Sequence, residues 1–255
     1  MALAIGVAPV VAVHAQRDEE PEPTIEEDLA RVVVDPIAPL AQLSVLVEHD
    51  ATYHGPRDLD ATTLIIRPAI PFSTWDVQQL ARLSIEYEID RPEGGSGLGV
   101  TEIFDLVLVP LGPGRLAVGP VLELRPDVAA NPDGGEDGDN VLAGPAVGYV
   151  ARVGPVTLGA LTRTFLAPSE QRTSIQPVVA VTLAPWISVG VGDLELDWDW
   201  EEGHWGALPI GLAVDVVGDV FGQWIRVGVE GRYDLHDVDG LYETRVAGRF
   251  ALLVR

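Results

Sequence analysis

Near the C-terminus, charged side chains recur at every second residue. Between Trp224 and Asp234, Arg226, Glu230, Arg232 and Asp234 take one set of alternate positions, and Ile225, Val227, Val229 and Tyr233 take the other. Between Thr244 and Val254, Arg245, Ala247 and Arg249 oppose Val246, Phe250, Leu252 and Val254. Upstream, Arg67, Arg82 and Glu86 fall in similar apolar runs, and Asp193, Glu195, Asp197 and Asp199 repeat with the same spacing. Side chains of a strand alternate between two faces, so each run has one apolar and one ionic face. Ionic faces turned toward an enclosed axis offer two kinds of chemistry. A strip of arginines (Arg67, Arg82, Arg226, Arg232, Arg245, Arg249) facing an acidic wall (Asp193, Glu195, Asp197) would set ion and solute preference in a pore. Alternatively these charges, with Glu86, Glu88 and Glu230, pair across the interior and fill it. Pairing is the expected arrangement, because buried charges persist only when paired.

Two other constellations bear on chemistry. His204 and His236 lie close in sequence to Glu201, Glu202, Asp237 and Asp239, and an acid–histidine pair at a rim could activate water. The sequence contains neither a G-x-S-x-G elbow nor an H-E-x-x-H pair, so no catalytic residue is assigned and the expectation is not an enzyme. The stretch Asp127 to Asn140, with Asp133, Glu136, Asp137 and Asp139 among glycines, lacks the spacing of an EF-hand loop and reads as a solvated acidic loop. No cofactor or metal is expected.

Composition narrows the setting. Mean hydropathy is +0.21 although the formal charge is -23, so charge must be segregated from the apolar faces. No stretch supplies the roughly 18 to 20 apolar residues of a membrane helix. All 16 basic residues are arginine, which excludes a P-loop lysine, and the acidic balance excludes nucleic acid as a partner. The chain has no cysteine, hence no disulfide framework.

The elements that would position these charges are short strands. About twelve strand candidates run from Gln42 to Val254, separated alternately by long acidic loops and tight turns. The expected fold is therefore all-β, an antiparallel transmembrane barrel of about 12 strands preceded by a short helix. Twelve tilted strands would close at roughly 24 Å backbone diameter. Residues 1–15 read as a signal peptide ending in Val13-His14-Ala15, residues 16–41 as an acidic tail and short helix opened by a Thr24/Glu27 capping box, and residues 42–255 as the barrel. Trp186 and Trp224 sit beside tight turns, whereas Trp198, Trp200 and Tyr233 sit at the opposite ends, as two interfacial belts would. Phe72 to Gln79 is the one connection expected to be long on the tight-turn side. Bulges or kinks are expected at Pro68, Pro120, Pro145, Pro177 and Pro209, since proline removes a ladder donor.

A family resemblance lies on particular segments: Asp28-Leu29-Ala30-Arg31 and Asp35 to Leu40, then Leu64-Ile65-Ile66-Arg67-Pro68 to Phe72. It continues through Val118-Gly119-Pro120-Val121, Ala143-Gly144-Pro145-Ala146 and Ser174-Ile175-Gln176-Pro177, and through Asp197-Trp198-Asp199-Trp200, Leu208-Pro209-Ile210-Gly211 and Arg245 to Val254. Together they resemble a family of bacterial outer-membrane barrels labelled for the MetA pathway of phenol degradation, some members of which carry the label neuromedin U. The resemblance implies the outer membrane of a Gram-negative bacterium, lipid and lipopolysaccharide as surroundings, and passage of small, hydrophobic or aromatic molecules. A monomer is expected. A non-conducting structural or adhesive barrel, and a hydrolase with a rim His/Asp site, are the alternatives.

Overall fold

The computed structural model describes residues 25–52, 60–90, 95–125, 141–167, 170–237 and 244–254. These form one helix, α1 (Ile25–Val32), and fourteen strands. The strands are β1 (Ala41–Thr52), β2 (Ala61–Thr74), β3 (Val77–Asp90), β4 (Gly97–Leu111), β5 (Gly114–Leu124), β6 (Val141–Val153) and β7 (Val156–Ala167). They continue with β8 (Glu170–Ala184), β9 (Ile187–Gly190), β10 (Leu196–Asp199), β11 (His204–Trp205), β12 (Ala207–Val220), β13 (Gln223–Asp237) and β14 (Thr244–Val254). All pairings are antiparallel, and β14 pairs with β1 from Ala41↔Val254 onward. On the other side β9 bridges β8 and β12. The ring is thus closed. Because β9 and β10 both flank β8 and share one position in the wall, the barrel has twelve staves, as expected.

One end of the barrel is built from two-residue turns. Trp75 and Asp76 both have positive φ (50° and 65°), as do Phe221 and Gly222 (56° and 82°), while Gly112 and Gly154 (57° each) precede prolines. Turns of this hand match the right-handed twist of the strands they join. The long connection expected over Phe72 to Gln79 is absent: β2 runs to Thr74, β3 starts at Val77, and only Trp75 and Asp76 lie between. Asp76 suits a positive φ, but Trp75 is not a residue whose type announces such a turn.

The prolines are absorbed in most cases without a change of register. Pro120 faces Pro145 across β5 and β6, and the β4–β5 register is the same on both sides of Pro120. Pro209 adjoins a shift, between Ala207 and Pro209, and Pro177 faces the gap between Ile175 and Ala180 where β8 pairs with neither β10 nor β9. Glycine explains the tolerance at two of them. A Cβ on Gly119 would lie 1.9 Å from the Asp105 carbonyl oxygen, and one on Gly144 1.8 Å from that of Thr164. A carbonyl that finds no N–H on the proline packs against the neighbouring glycine Cα instead.

The outer surface is apolar on nearly every strand. Leu43, Val47, Ile66, Val107, Val179, Leu212, Val227, Val229, Val246 and Phe250 are all exposed. Phe221, Trp75 and Trp186 are exposed at the short-turn end, and Trp200 and Tyr233 at the other. Trp224 departs from the expected belt. It points inward and packs on a cluster formed by Leu29, Val33, Ala38, Leu40, Val217, Ala251 and Leu253.

The interior also departs from a purely ionic lining. Phe104, Leu106, Leu108, Ala117, Val121, Leu142, Ala146, Val150, Leu161, Phe165 and Val178 on β4 to β8 turn inward and gather around Ile37. The apolar set thus divides, and the inward share gives the N-terminal segment a surface to bury against. That segment fills the short-turn end of the barrel. Leu29, Ala30, Val33, Ile37 and Ala38 are buried, and each larger side chain contributes roughly 1.5–3 kcal/mol by leaving water. Polar ties fix its path: Asp35 accepts from the Ile37 N–H at 3.0 Å and from Arg152 at 3.1 Å, and Arg226 Nη1 donates to the Val33 carbonyl at 2.6 Å. The helix ends at Val32, before Asp35-Pro36. Thr24 of the expected capping box lies outside the described residues.

Candidate functional site: a charged partition inside the barrel

The ninth stave is broken. β9 ends at Gly190, β10 begins at Leu196, and residues 191–195 leave the wall and enter the interior. Gly192 makes the departure possible, with φ of +76°; a Cβ there would lie 2.3–2.6 Å from the Glu230 carboxylate. Only glycine meets both demands. The turn delivers Asp193 to the opposite side of the barrel. Its N–H donates to Glu230 Oε2 at 3.0 Å, and its Oδ2 accepts from Arg67 at 2.7 Å and Arg249 at 3.0 Å. Gln176 donates to its Oδ1 at 3.3 Å. Two residues on, Glu195 meets Arg163 at 2.6 Å and accepts from Ser174 at 3.2 Å.

The neighbouring charges are paired with equal economy. Arg226 holds Asp215 through two bonds of 2.7 and 2.8 Å, and Arg249 lies 3.0 Å from Glu230. Arg163 donates to Glu102 at 2.6 Å. Toward the long-loop end, Arg245 reaches Asp50 at 2.6 Å and Glu48 at 3.3 Å, and Arg232 reaches Glu230 at 3.1 Å. Arg172 pairs with Glu123 and stacks over Phe165, while Arg125 bridges Glu123 and Glu170.

Of the residues singled out by spacing, the fold therefore gathers Arg67, Arg226, Glu230, Arg232, Arg245, Arg249 and Asp193 into one connected network, and sets Glu195 in a second, adjoining cluster with Arg163, Glu102 and Ser174. Asp197 lies 3.7 Å from Arg172 at its edge. Asp193 and Glu195 do not stand on a continuous acidic wall, because the chain carrying them has left the sheet. Asp199 instead accepts from the N–H groups of Glu201 and Glu202 in the following turn. Arg82 and Glu86 have no hydrogen-bonded or ion-paired partner among the described residues. Arg82 is 8% exposed and sits 5.0 Å from the Phe104 ring centroid. Sequence spacing missed Glu48, Asp50, Glu102, Glu123, Arg163, Arg172 and Asp215. Glu48 and Arg163 share the alternation already seen, and a systematic count of charges on inward parity would have found them.

Two spaces flank this network. One, of about 590 Å³, lies toward the long-loop end and is lined by Glu48, Glu86, Glu102, Arg163, Arg172 and Asp197 among others. A smaller one, of about 60 Å³, lies toward the N-terminal segment beside Val33, Asp35 and Pro36. Arg67, Arg82 and Asp193 border both, and so form the partition between them.

The rim histidines are less organised. His204 contacts the Glu202 carboxylate, whose hydrogen bond pushes the imidazole pKa up. The side chain of His236 lies outside the described residues, as does the acidic loop from Asp127 to Asn140.

Neither a protein-family model nor a curated protein matches the chain. Solved structures do match in fold. A KdgM porin aligns over 84% of this chain and 99% of its own, with a TM-score of 0.51 and 11% identity. Outer membrane phospholipase A from Escherichia coli aligns over 90% and 98%, with a TM-score of 0.50 and 9% identity. At such identities the shared property is the fold: a closed antiparallel barrel of the kind found in outer-membrane proteins.

Proposed function

We propose that this chain spans the outer membrane of a Gram-negative bacterium and passes small molecules, with small aromatic solutes as the class that the family resemblance implies. The observation that carries the reading is an apolar outer surface enclosing an ionic interior with a space of about 590 Å³. Hydrocarbon outside and charge around an enclosed axis is the pattern of a barrel that spans a membrane, since a soluble β domain turns its apolar faces inward, and the enclosed space supports passage of solute. Lipid and lipopolysaccharide are its surroundings. The buried N-terminal segment favours a second reading, a non-conducting structural barrel.

Solute uptake separates the two. A Gram-negative host with an intact outer membrane, expressing the chain, is expected to take up radiolabelled 4-tert-butylphenol several-fold faster than the same host with an empty vector. Equal rates, with the barrel present and folded in the outer membrane, would leave the structural reading standing and remove this one.

A further inference from the structure

The wall has one incomplete joint. On its β13 side β12 is paired over nearly its whole length, but on the other side only Ala213 to Val216 pair with β9. Ala207 to Leu212 have no strand there. The residues that would face them belong to the broken stave, which pairs with β8 from Leu196 to Asp199 and with β11 at Trp198 and Asp199, the Gly206 N–H adding one bond to the Asp197 carbonyl at 2.8 Å. Along this length no backbone hydrogen bond joins β10 to β12 among the described residues. The β1–β14 joint, by contrast, is paired from Ala41↔Val254 to Thr52↔Thr244.

An unpaired edge in hydrocarbon costs several kcal/mol per backbone group, and irregular backbone persists at membrane depth only where it is buried in protein or lines a wet cavity. Such a cavity is present. Asp197, Gly206 and Pro209, which border the joint, also line the larger interior space. Outside, the joint is apolar: Ile210 and Leu212 are exposed, and Trp198 stacks edge-on to Trp205 at 5.2 Å beside exposed Trp200. From within it is covered by Leu194. Its Cδ2 lies 2.8 Å from where a Cβ on Gly211 would stand, so the inward segment closes the joint with one apolar side chain on a glycine. The axial way out is occupied by the segment around Leu29, Val33 and Ile37.

We infer that the joint between β10 and β12 is a lateral portal, through which small apolar molecules of single-ring size pass from the long-loop cavity into the surrounding bilayer, with Leu194 as its inner cover. The inference rests on the uptake reading above and adds the route. An ionic cavity with a plugged axis and a greasy side exit suits solutes that partition into hydrocarbon, and it denies passage to ions.

A staple across the joint tests it. The native chain has no cysteine, and Leu194→Cys with Gly211→Cys sets one thiol on each side of the joint, where the native Leu194 Cδ2 lies 2.8 Å from the Cβ position at 211. In the uptake assay the oxidised double variant is expected to fall to the empty-vector rate, and reduction with dithiothreitol to restore it, which also shows that the barrel is folded. Uptake that the native chain supports and the oxidised staple leaves unchanged would overturn the portal while keeping the uptake reading. Failure of the native chain to support any uptake would overturn the uptake reading instead. A further control is an intermolecular disulfide through Ile210→Cys alone in detergent. If it forms quantitatively, the edge is occupied by a second copy and the portal is overturned; a monomer supports it.

Discussion

Replacing Leu29 and Ile37 together by aspartate is expected to raise single-channel ion conductance in planar bilayers several-fold over the native chain. Leu29 is packed against Val217, Ala251 and Leu253, and Ile37 is fully buried against the apolar wall of β4 to β8. Each substitution removes roughly 1.5–3 kcal/mol of burial and brings a carboxylate whose uncompensated burial costs several kcal/mol more. The barrel wall itself is untouched, because both residues precede β1. The segment therefore leaves the short-turn end while the ring of strands persists, which slower electrophoretic migration on heating would confirm. Unchanged conductance in a correctly folded double variant would mean that the segment does not close the axial path.

Asp193→Ala is expected to have the second large effect, on both stability and selectivity. Its carboxylate is the shared acceptor of Arg67 and Arg249. Arg249 keeps Glu230 and Asp215, but among the described residues Arg67 keeps only its side-chain bond to Ser84 at 3.1 Å. Removing one partner of a buried pair costs about 3–5 kcal/mol, chiefly because the remaining charge is left unpaired. The urea midpoint in detergent is expected to fall accordingly. Introduced into the Leu29→Asp, Ile37→Asp background, the same change turns the partition cationic, and the reversal potential under a potassium chloride gradient is expected to move toward that of chloride. A stable variant with unaltered selectivity would show that Asp193 lies off the path of ions.

The sequence made some of this legible for a definite reason. On β13 and β14 one face is ionic and the other apolar, so parity alone tells inside from outside. On β4 both faces are mostly apolar, with one acid on each (Glu102 inside, Asp105 outside): Ile103 and Val107 point out, whereas Phe104 and Leu106 point in. A period of two then exists in space without appearing in composition, and the inner wall that receives the N-terminal segment stayed hidden. The broken stave was hidden by the opposite accident. Asp193, Glu195, Asp197 and Asp199 keep perfect alternation although the chain carrying the first two has left the sheet and that carrying the last two has rejoined it, and Gly190 and Gly192 mark the departure. Trp75 gives no sign of the tight hairpin that Asp76 alone would suit, and Trp224 beside a turn looks like an interfacial ring until the cluster beneath it is seen. The pairing of arginines with carboxylates followed from the cost of burying charge, but the partners across the barrel depend on closure and on one inward turn, which spacing does not encode.

A barrel that spans a bilayer turns one defined side of each strand to hydrocarbon. Single cysteines at successive positions from Arg226 to Tyr233 can carry nitroxide labels without interference, because the chain has no cysteine of its own. In lipid vesicles, oxygen accessibility is expected to peak at Val227, Val229 and Tyr233 and to drop at Gly228 and Glu230, with a period of two. Accessibility to a water-soluble nickel complex equal to that of oxygen at Val227 and Val229, or no alternation along the strand, would contradict the membrane-spanning barrel.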